Sequence, residues 1–224
     1  MDIELEPIRR PFSLKDEAYR HLKALILSDR LSGGEMLDLD GLAAALAISR
    51  TPLREALVML EQEGLVETVR YKGTFVVEVS QKDVEEIFQV REALEPLAVR
   101  LATQAIPEDE LKQMQELFAG VAKELENGGS ERYSHSDIEF HDLIIRHCDN
   151  KVLQQVLDTL AGRTHRVRAF SRRRSGSHLK ESFQEHCLIL DALVGRDAKR
   201  AEDLMAQHVR NAGKRLADLV PDRD

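Results

Sequence analysis

The 224 residues suffice for two domains of ordinary size, and a hydrophobic share of 42% is enough to bury a core in each, which excludes a disordered chain. No run of about eighteen apolar residues occurs, and the opening MDIELEPIRR mixes charges without an apolar stretch, so neither a membrane span nor a secretory signal is expected and the expected location is the cytoplasm. The net charge of −8 speaks against a general attraction to nucleic acid, and residues 1–80 alone carry 10 Lys and Arg against 14 Asp and Glu, a balance of −4, so any DNA contact has to come from locally placed cations.

In chain order, Leu14, Ala18, Leu22, Leu25 and Ile26 recur at helical spacing over 14–29, and Leu31-Ser-Gly-Gly34 punctuates the end of that helix. A short second helix runs to Leu46, with Asp38 placed to cap it. Ser49 is placed to cap a third, with Thr51-Pro52 in its first turn, where a missing N–H is tolerated, and Gly64 closing it. The period then changes. Leu65 to Val69 and Thr74 to Val77 are β-prone runs separated by Arg70-Tyr-Lys-Gly73, which predicts a hairpin. Three short helices followed by a hairpin is the layout of a winged helix-turn-helix, assigned to residues 10–79. From Gln81 onward the pattern is helical throughout, with six segments at about 82–104, 107–127, 130–148, 150–171, 178–195 and 197–219. They are broken by Pro107, Asn127-Gly-Gly-Ser130, Asn150, Ser175-Gly-Ser177 and Gly195-Arg-Asp197. Long helices with short connections predict an antiparallel bundle over 80–220, so the fold class is mainly α. Cys148 and Cys187 fall in apolar-periodic segments without metal-knuckle spacing and read as buried reduced thiols.

A recognition helix enters the major groove by its N-terminal turns, where long polar side chains have to face outward. Arg50, Thr51 and Arg54 meet that requirement on the third helix, while Leu53, Leu57 and Leu60 face the core. Arginine can fork onto guanine, a hydroxyl can reach phosphate or a thymine edge, and Lys72 and Gly73 at the hairpin tip can lie along the minor groove or adjacent backbone. The order Leu42-Ala43, Ser49-Arg50-Thr51-Pro52, Arg54-Glu55-Ala56-Leu57, Leu60-Glu61, Gly64-Leu65-Val66 and Gly73-Thr-Phe-Val76 resembles the N-terminal domain of the GntR family of bacterial regulators. Asp40 stands where several relatives in the fatty-acid-responsive branch carry an arginine.

Asp137 and His141 are four apart and stack on one helix face, where they can grip one ion together. His186 among Phe183, Ile189 and Leu190, and His208 among Leu204, Met205 and Ala212, project from stripes expected to face the bundle interior. Three imidazoles and a carboxylate suit a divalent transition metal, zinc or nickel above all. The run from Arg91-Glu-Ala-Leu-Glu95 through Asp137-Ile-Glu-Phe-His141, Asn150 and Glu185-His186 to Met205-Ala-Gln-His208 resembles the helical ligand-binding domain of the family's FadR branch, called FCD, and six helices resemble its VanR-type subgroup. The resemblance implies the same four metal ligands and a homodimer, whose two reading heads would meet half-sites of palindromic operator DNA as a repressor. Four protein ligands leave positions open on an octahedral ion, and a small carboxylic acid is the expected occupant and effector. Arg91 either forks onto that acid or is a solvated or Glu95-paired helix charge, and Glu95 itself reads as a helix-surface residue. His21, His135, His147, His165 and His178 read as surface residues. The arginine-rich stretch at 163–168 and 172–174 reads as an exposed face or as an anion-attracting rim of the pocket. Two other functions stay open at this level. A metal with open positions could activate water in a hydrolase or lyase acting on a small acid, and a purely architectural DNA-binding protein would need no ligand.

Overall fold

Nine helices and one two-stranded sheet make up the residues described by the computed structural model, 13–28, 30–129, 131–172 and 177–220. The chain divides into two compact units, Met1–Glu78 and Val79–Asp224.

In the first unit, α1 (Leu14–Leu27) starts where the Ser13 side chain accepts from the Asp16 N–H, and it buries Ala18, Leu22 and Ile26, spaced four apart on one stripe. Asp38 caps α2 (Leu39–Ala45) by accepting from the Asp40 and Gly41 amides. Helix α3 (Arg50–Gln62) buries Leu53, Ala56, Leu57 and Leu60. Ser49 has the extended backbone of a capping residue, but its side chain makes no capping hydrogen bond, so the expected cap reduces to backbone geometry. Gly64, at φ 68°, turns the chain out of α3 in the left-handed region that glycine tolerates. Strands β1 (Val66–Val69) and β2 (Gly73–Val76) pair antiparallel, with Val66 opposite Val76 and Val69 opposite Gly73. The free edge of β2 is covered by the segment between α1 and α2: Val76 O accepts from the Gly34 N–H, the Val76 N–H donates to Glu35 O, and the Leu37 N–H donates to Thr74 O. Backbone pairing and the buried Leu37 hold that third edge, and one apolar residue is too little to announce a strand in the sequence.

The second unit consists of α4 (Gln81–Ala102), α5 (Glu108–Glu126), α6 (Glu131–His147), α7 (Lys151–Arg172), α8 (Ser177–Val194) and α9 (Ala198–Ala217), each end within two residues of its expected position. Helix α4 opens on a full capping box, in which the Ser80 side chain accepts from the Asp83 N–H while the Asp83 carboxylate accepts from the Ser80 N–H. It lies antiparallel against α9, as three pairings taken along it show: Phe88 beside Gly213, Glu92 with Arg210 at 2.7 Å, and Arg100 with Glu202 at 3.1 Å. Likewise α5 and α6 run antiparallel, tied by Glu124 to Arg132 and Glu110 to His147. Phe118, Phe140, Leu143, Ile144, Phe183, Ile189, Leu193 and Met205 fill the core between these helices. No helix among the described residues is long and apolar enough to cross a membrane.

Candidate nucleic-acid interface and metal centre

The register of α3 sorts its residues into two sets. With Leu53, Leu57 and Leu60 buried, Arg50, Thr51 and Arg54 are turned outward on the first turns, where the helix also offers its free N–H groups. Lys72 and Gly73 are exposed at the hairpin tip, and the turn there is made by Tyr71 at φ 64° and Gly73 at φ 125°. One contact was not legible beforehand: Asp40 on α2 reaches the Arg50 guanidinium, Oδ1 to Nη2 at 2.5 Å, with both side chains solvent-exposed. An exposed pair of this kind is worth little in stability, so its effect is on where Arg50 points.

In the second unit the four residues expected as ligands converge. Asp137 and His141 on α6, His186 on α8 and His208 on α9 are all buried. His186 Nε2 and His208 Nε2 stand 3.0 Å apart, and the ligating atoms of His141, His186 and His208 lie within 4.8 Å of one another. Asp137 Oδ1 approaches His186 Nε2 to 3.6 Å and His141 Nε2 to 3.9 Å. Nitrogens bound to a transition ion at about 2.0–2.1 Å are themselves about 3 Å apart, so the donor set fits such an ion by type and by spacing. Aromatic rings wall the cluster: Phe140 lies 5.0 Å from the His186 ring, and Tyr133 is nearly parallel to it at 6.3 Å.

Behind the rings stand two carboxylates. Glu95 corrects the sequence expectation: it is not on the helix surface but buried at 6% exposure, because the four-residue spacing that pairs it with Arg91 also carries it onto the core face of α4. Its Oε1 accepts from Arg91 Nε at 2.5 Å, and its Oε2 stands 3.1 Å from His141 Nδ1. Burial alone would raise the Glu95 pKa, but the charge of Arg91 and the contact with His141 hold it well below the usual carboxylate range. Arg91 also lies over the Phe88 ring at 4.5 Å. Arg91 is thus a buried, Glu95-paired residue and not a solvated helix charge. Glu185, next to His186 on α8, accepts from His208 Nδ1 at 2.8 Å, from Asn211 at 2.8 Å and from both Arg215 nitrogens at 2.9 and 2.7 Å. Partial burial would raise its pKa, yet the hydrogen bonds from Arg215, His208 and Asn211 prevail and bring it down to about 2. Sequence reasoning quoted Glu185 only as part of the family pattern, with no role, and missed Asn211 and Arg215. The only available signal was the spacing of Asn211 and Arg215 at three and seven residues beyond His208, which puts them on its side of α9.

Other expectations distribute as follows. Cys148 is buried and Cys187 half-buried, both free thiols. His21 and His135 are exposed, whereas His147 is half-buried against Glu110 at 3.0 Å, a correction to the surface reading. Arg163 is exposed, while Arg173 and Arg174 lie outside the described residues.

Residues 14–76 match the model of the gntR family of bacterial regulatory proteins, and residues 86–211 match the FCD domain. The chain is 26% identical over 204 residues to the HTH-type transcriptional regulator YdhC of Bacillus subtilis, covering 90% of each protein. It is 30% identical over 201 residues to the HTH-type transcriptional repressor GlaR of Escherichia coli, covering 86% of this chain and 91% of that one. Among solved structures, E. coli McbR/YncC shares the fold with a TM-score of 0.79 at 24% identity, over 92% of this chain and 98% of that chain. The chain therefore belongs to the GntR family of bacterial regulatory proteins, with an FCD domain after its winged helix-turn-helix, and is a DNA-binding transcription regulator, not an enzyme.

Proposed function

We propose that this regulator is a repressor whose grip on operator DNA responds to a small carboxylic acid received beside a divalent transition metal, zinc or nickel, in the C-terminal unit. The observation that carries the reading is the meeting of three buried imidazoles and a carboxylate drawn from α6, α8 and α9. Asp137, His141, His186 and His208 would hold the ion, and Arg50, Thr51, Arg54, Lys72 and Gly73 would meet DNA. When bound, the ion supplies a Lewis-acidic position open to a carboxylate oxygen. The charge balance favours such a ligand. Arg91 with Glu95 and Arg215 with Glu185 cancel as pairs, so Asp137 alone stands against two positive charges, and a monoanion restores neutrality in a buried site where net charge is costly.

Beside the cluster is a cavity of about 30 Å³, lined by Arg91, Glu95, His141, Leu157 and Thr164 among others. That is room for roughly one water molecule, so an organic acid entering there has to displace side chains of α4, α6 or α7. The displacement gives the ligand a differential interaction with two bundle arrangements, which is what a sensor requires, and the coupling to DNA is then reciprocal. As a homodimer in the cytoplasm, where its operator lies, the protein would set two reading helices on two half-sites. GlaR is named a repressor and the gluconate operon regulator of B. subtilis likewise, which supports the sign of the effect.

The test is elemental analysis of the purified protein together with mass spectrometry of the small molecules it releases, followed by fluorescence anisotropy on operator DNA with and without the released acid. A stoichiometric metal and an acid that changes DNA affinity are expected. A protein that takes up no transition metal, or whose DNA affinity no carboxylic acid alters, refutes the reading.

A further inference from the structure

A neutral imidazole offers one lone pair, and which of its nitrogens carries it is set by the partner of the other. Glu185 is an acceptor from every side: Oε2 receives His208 Nδ1–H and Arg215 Nη2, while Oε1 receives Asn211 Nδ2 and Arg215 Nη1. An ionised carboxylate accepts only, so the hydrogen of His208 sits on Nδ1 and its lone pair on Nε2, the atom that faces His186 Nε2 at 3.0 Å. The same construction recurs on other helices. Glu95 stands 3.1 Å from His141 Nδ1 and is forked by Arg91, leaving His141 Nε2 as the atom nearer Asp137. Two arginine–glutamate–histidine chains, one from α4 to α6 and one joining α8 and α9, thus run outward from the same cluster.

We infer that Glu185 and Glu95 are positioning residues for the metal: each fixes the tautomer and ring angle of one ligand histidine so that its Nε2 is aimed inward before any ion arrives, with Arg215 and Arg91 holding the two carboxylates in place. The inference rests on the metal reading proposed above and adds to it a set of residues outside the ligand shell. His186 packs against the Phe140 and Tyr133 rings. The arrangement predicts that metal affinity depends on two glutamates that never touch the metal. Such outer carboxylates typically contribute about 10–100-fold in affinity.

The experiment is zinc affinity of the full-length protein, stripped of metal and titrated against a chromophoric chelator, for the parent and for Glu185→Ala, Glu185→Gln, Glu95→Gln and Glu92→Gln. Glu92, paired with Arg210 at the exposed seam between α4 and α9, is the control for a merely structural ion pair. The expected result is a loss of about 10–100-fold for Glu185→Ala, a smaller loss for Glu185→Gln, which keeps an acceptor for the imidazole N–H, and no change for Glu92→Gln. Loaded with cobalt(II), Glu185→Gln and Glu95→Gln should show shifted visible absorption bands, a readout that remains if the alanine variant does not fold. Zinc affinities and cobalt spectra of the folded Glu185 and Glu95 variants that match the parent overturn the inference while sparing the metal site. A parent protein that binds neither zinc nor cobalt(II) removes both.

Discussion

Replacing Arg91 by leucine tests the energetic core of the C-terminal unit. Arg91 is 2% exposed and Glu95 6%, and the guanidinium forks onto the carboxylate at 2.5 and 3.3 Å. An exposed pair four apart on a helix would be worth a few tenths of a kcal/mol, but here the substitution strands a buried carboxylate without its cation, which costs about 3–5 kcal/mol. With about 2–4 °C of melting temperature per kcal/mol for a chain of this size, Arg91→Leu should melt about 6–20 °C lower. Thermal melting of the full chain in chelator, followed by far-ultraviolet circular dichroism, reads this effect without any metal contribution. Six of the nine helices among the described residues belong to the unit in question. The decisive comparison is Arg91→Leu/Glu95→Gln, which removes the stranded charge yet keeps a hydrogen-bond acceptor for His141, and which should regain most of the loss. A single variant that melts within about 2 °C of the parent, or a double variant that melts below the single, would refute the reasoning that an uncompensated buried charge governs this site.

Three further outcomes follow from the same geometry. Arg50→Ala and Arg54→Ala remove exposed side chains from the reading turns, so each should weaken operator binding about 5–150-fold at fixed salt without changing the melt; affinity equal to the parent's would take that residue out of the interface. Ser80→Ala breaks the capping box that starts α4 and should cost about 1 kcal/mol, seen as a melting point about 2–4 °C lower. Gly213→Ala should destabilise by about 1 kcal/mol in spite of alanine's better helix propensity, because the new methyl would sit 3.0 Å from the buried Phe88 side chain; a stabilised variant, measured by urea unfolding, would show that the α4–α9 seam has slack.

Elements held by side-chain periodicity were readable before any coordinates. Leu53, Leu57 and Leu60 mark the inner face of α3 and so place Arg50 and Arg54 outside, and the change to β-prone runs after Gly64 marks the wing. What depended on backbone pairing across the chain was not readable: the edge formed by residues 34–37 on β2 offers only Leu37 to the core, too little to mark a strand, and the Ser49 cap, plausible by residue type, makes no side-chain bond.

The candidate metal cluster and the carboxylates behind it divide along a similar line. Asp137 and His141 share a helix face by spacing alone, and His186 and His208 sit in apolar stripes, so each ring's inward direction could be read from its neighbours in sequence. Glu95 and Glu185 could not be read that way, since a glutamate in a helix usually faces solvent and nothing in its own stripe says otherwise. What holds each of them in the core includes partners contributed by tertiary packing: His141 of α6 for Glu95, beside Arg91 of its own helix, and His208 with Arg215 of α9 for Glu185. A buried carboxylate is tolerable only when such partners are already there. On the metal reading proposed above, the arginines and the glutamates would belong to the site as much as its ligands, because they would set the tautomer that His141 and His208 present.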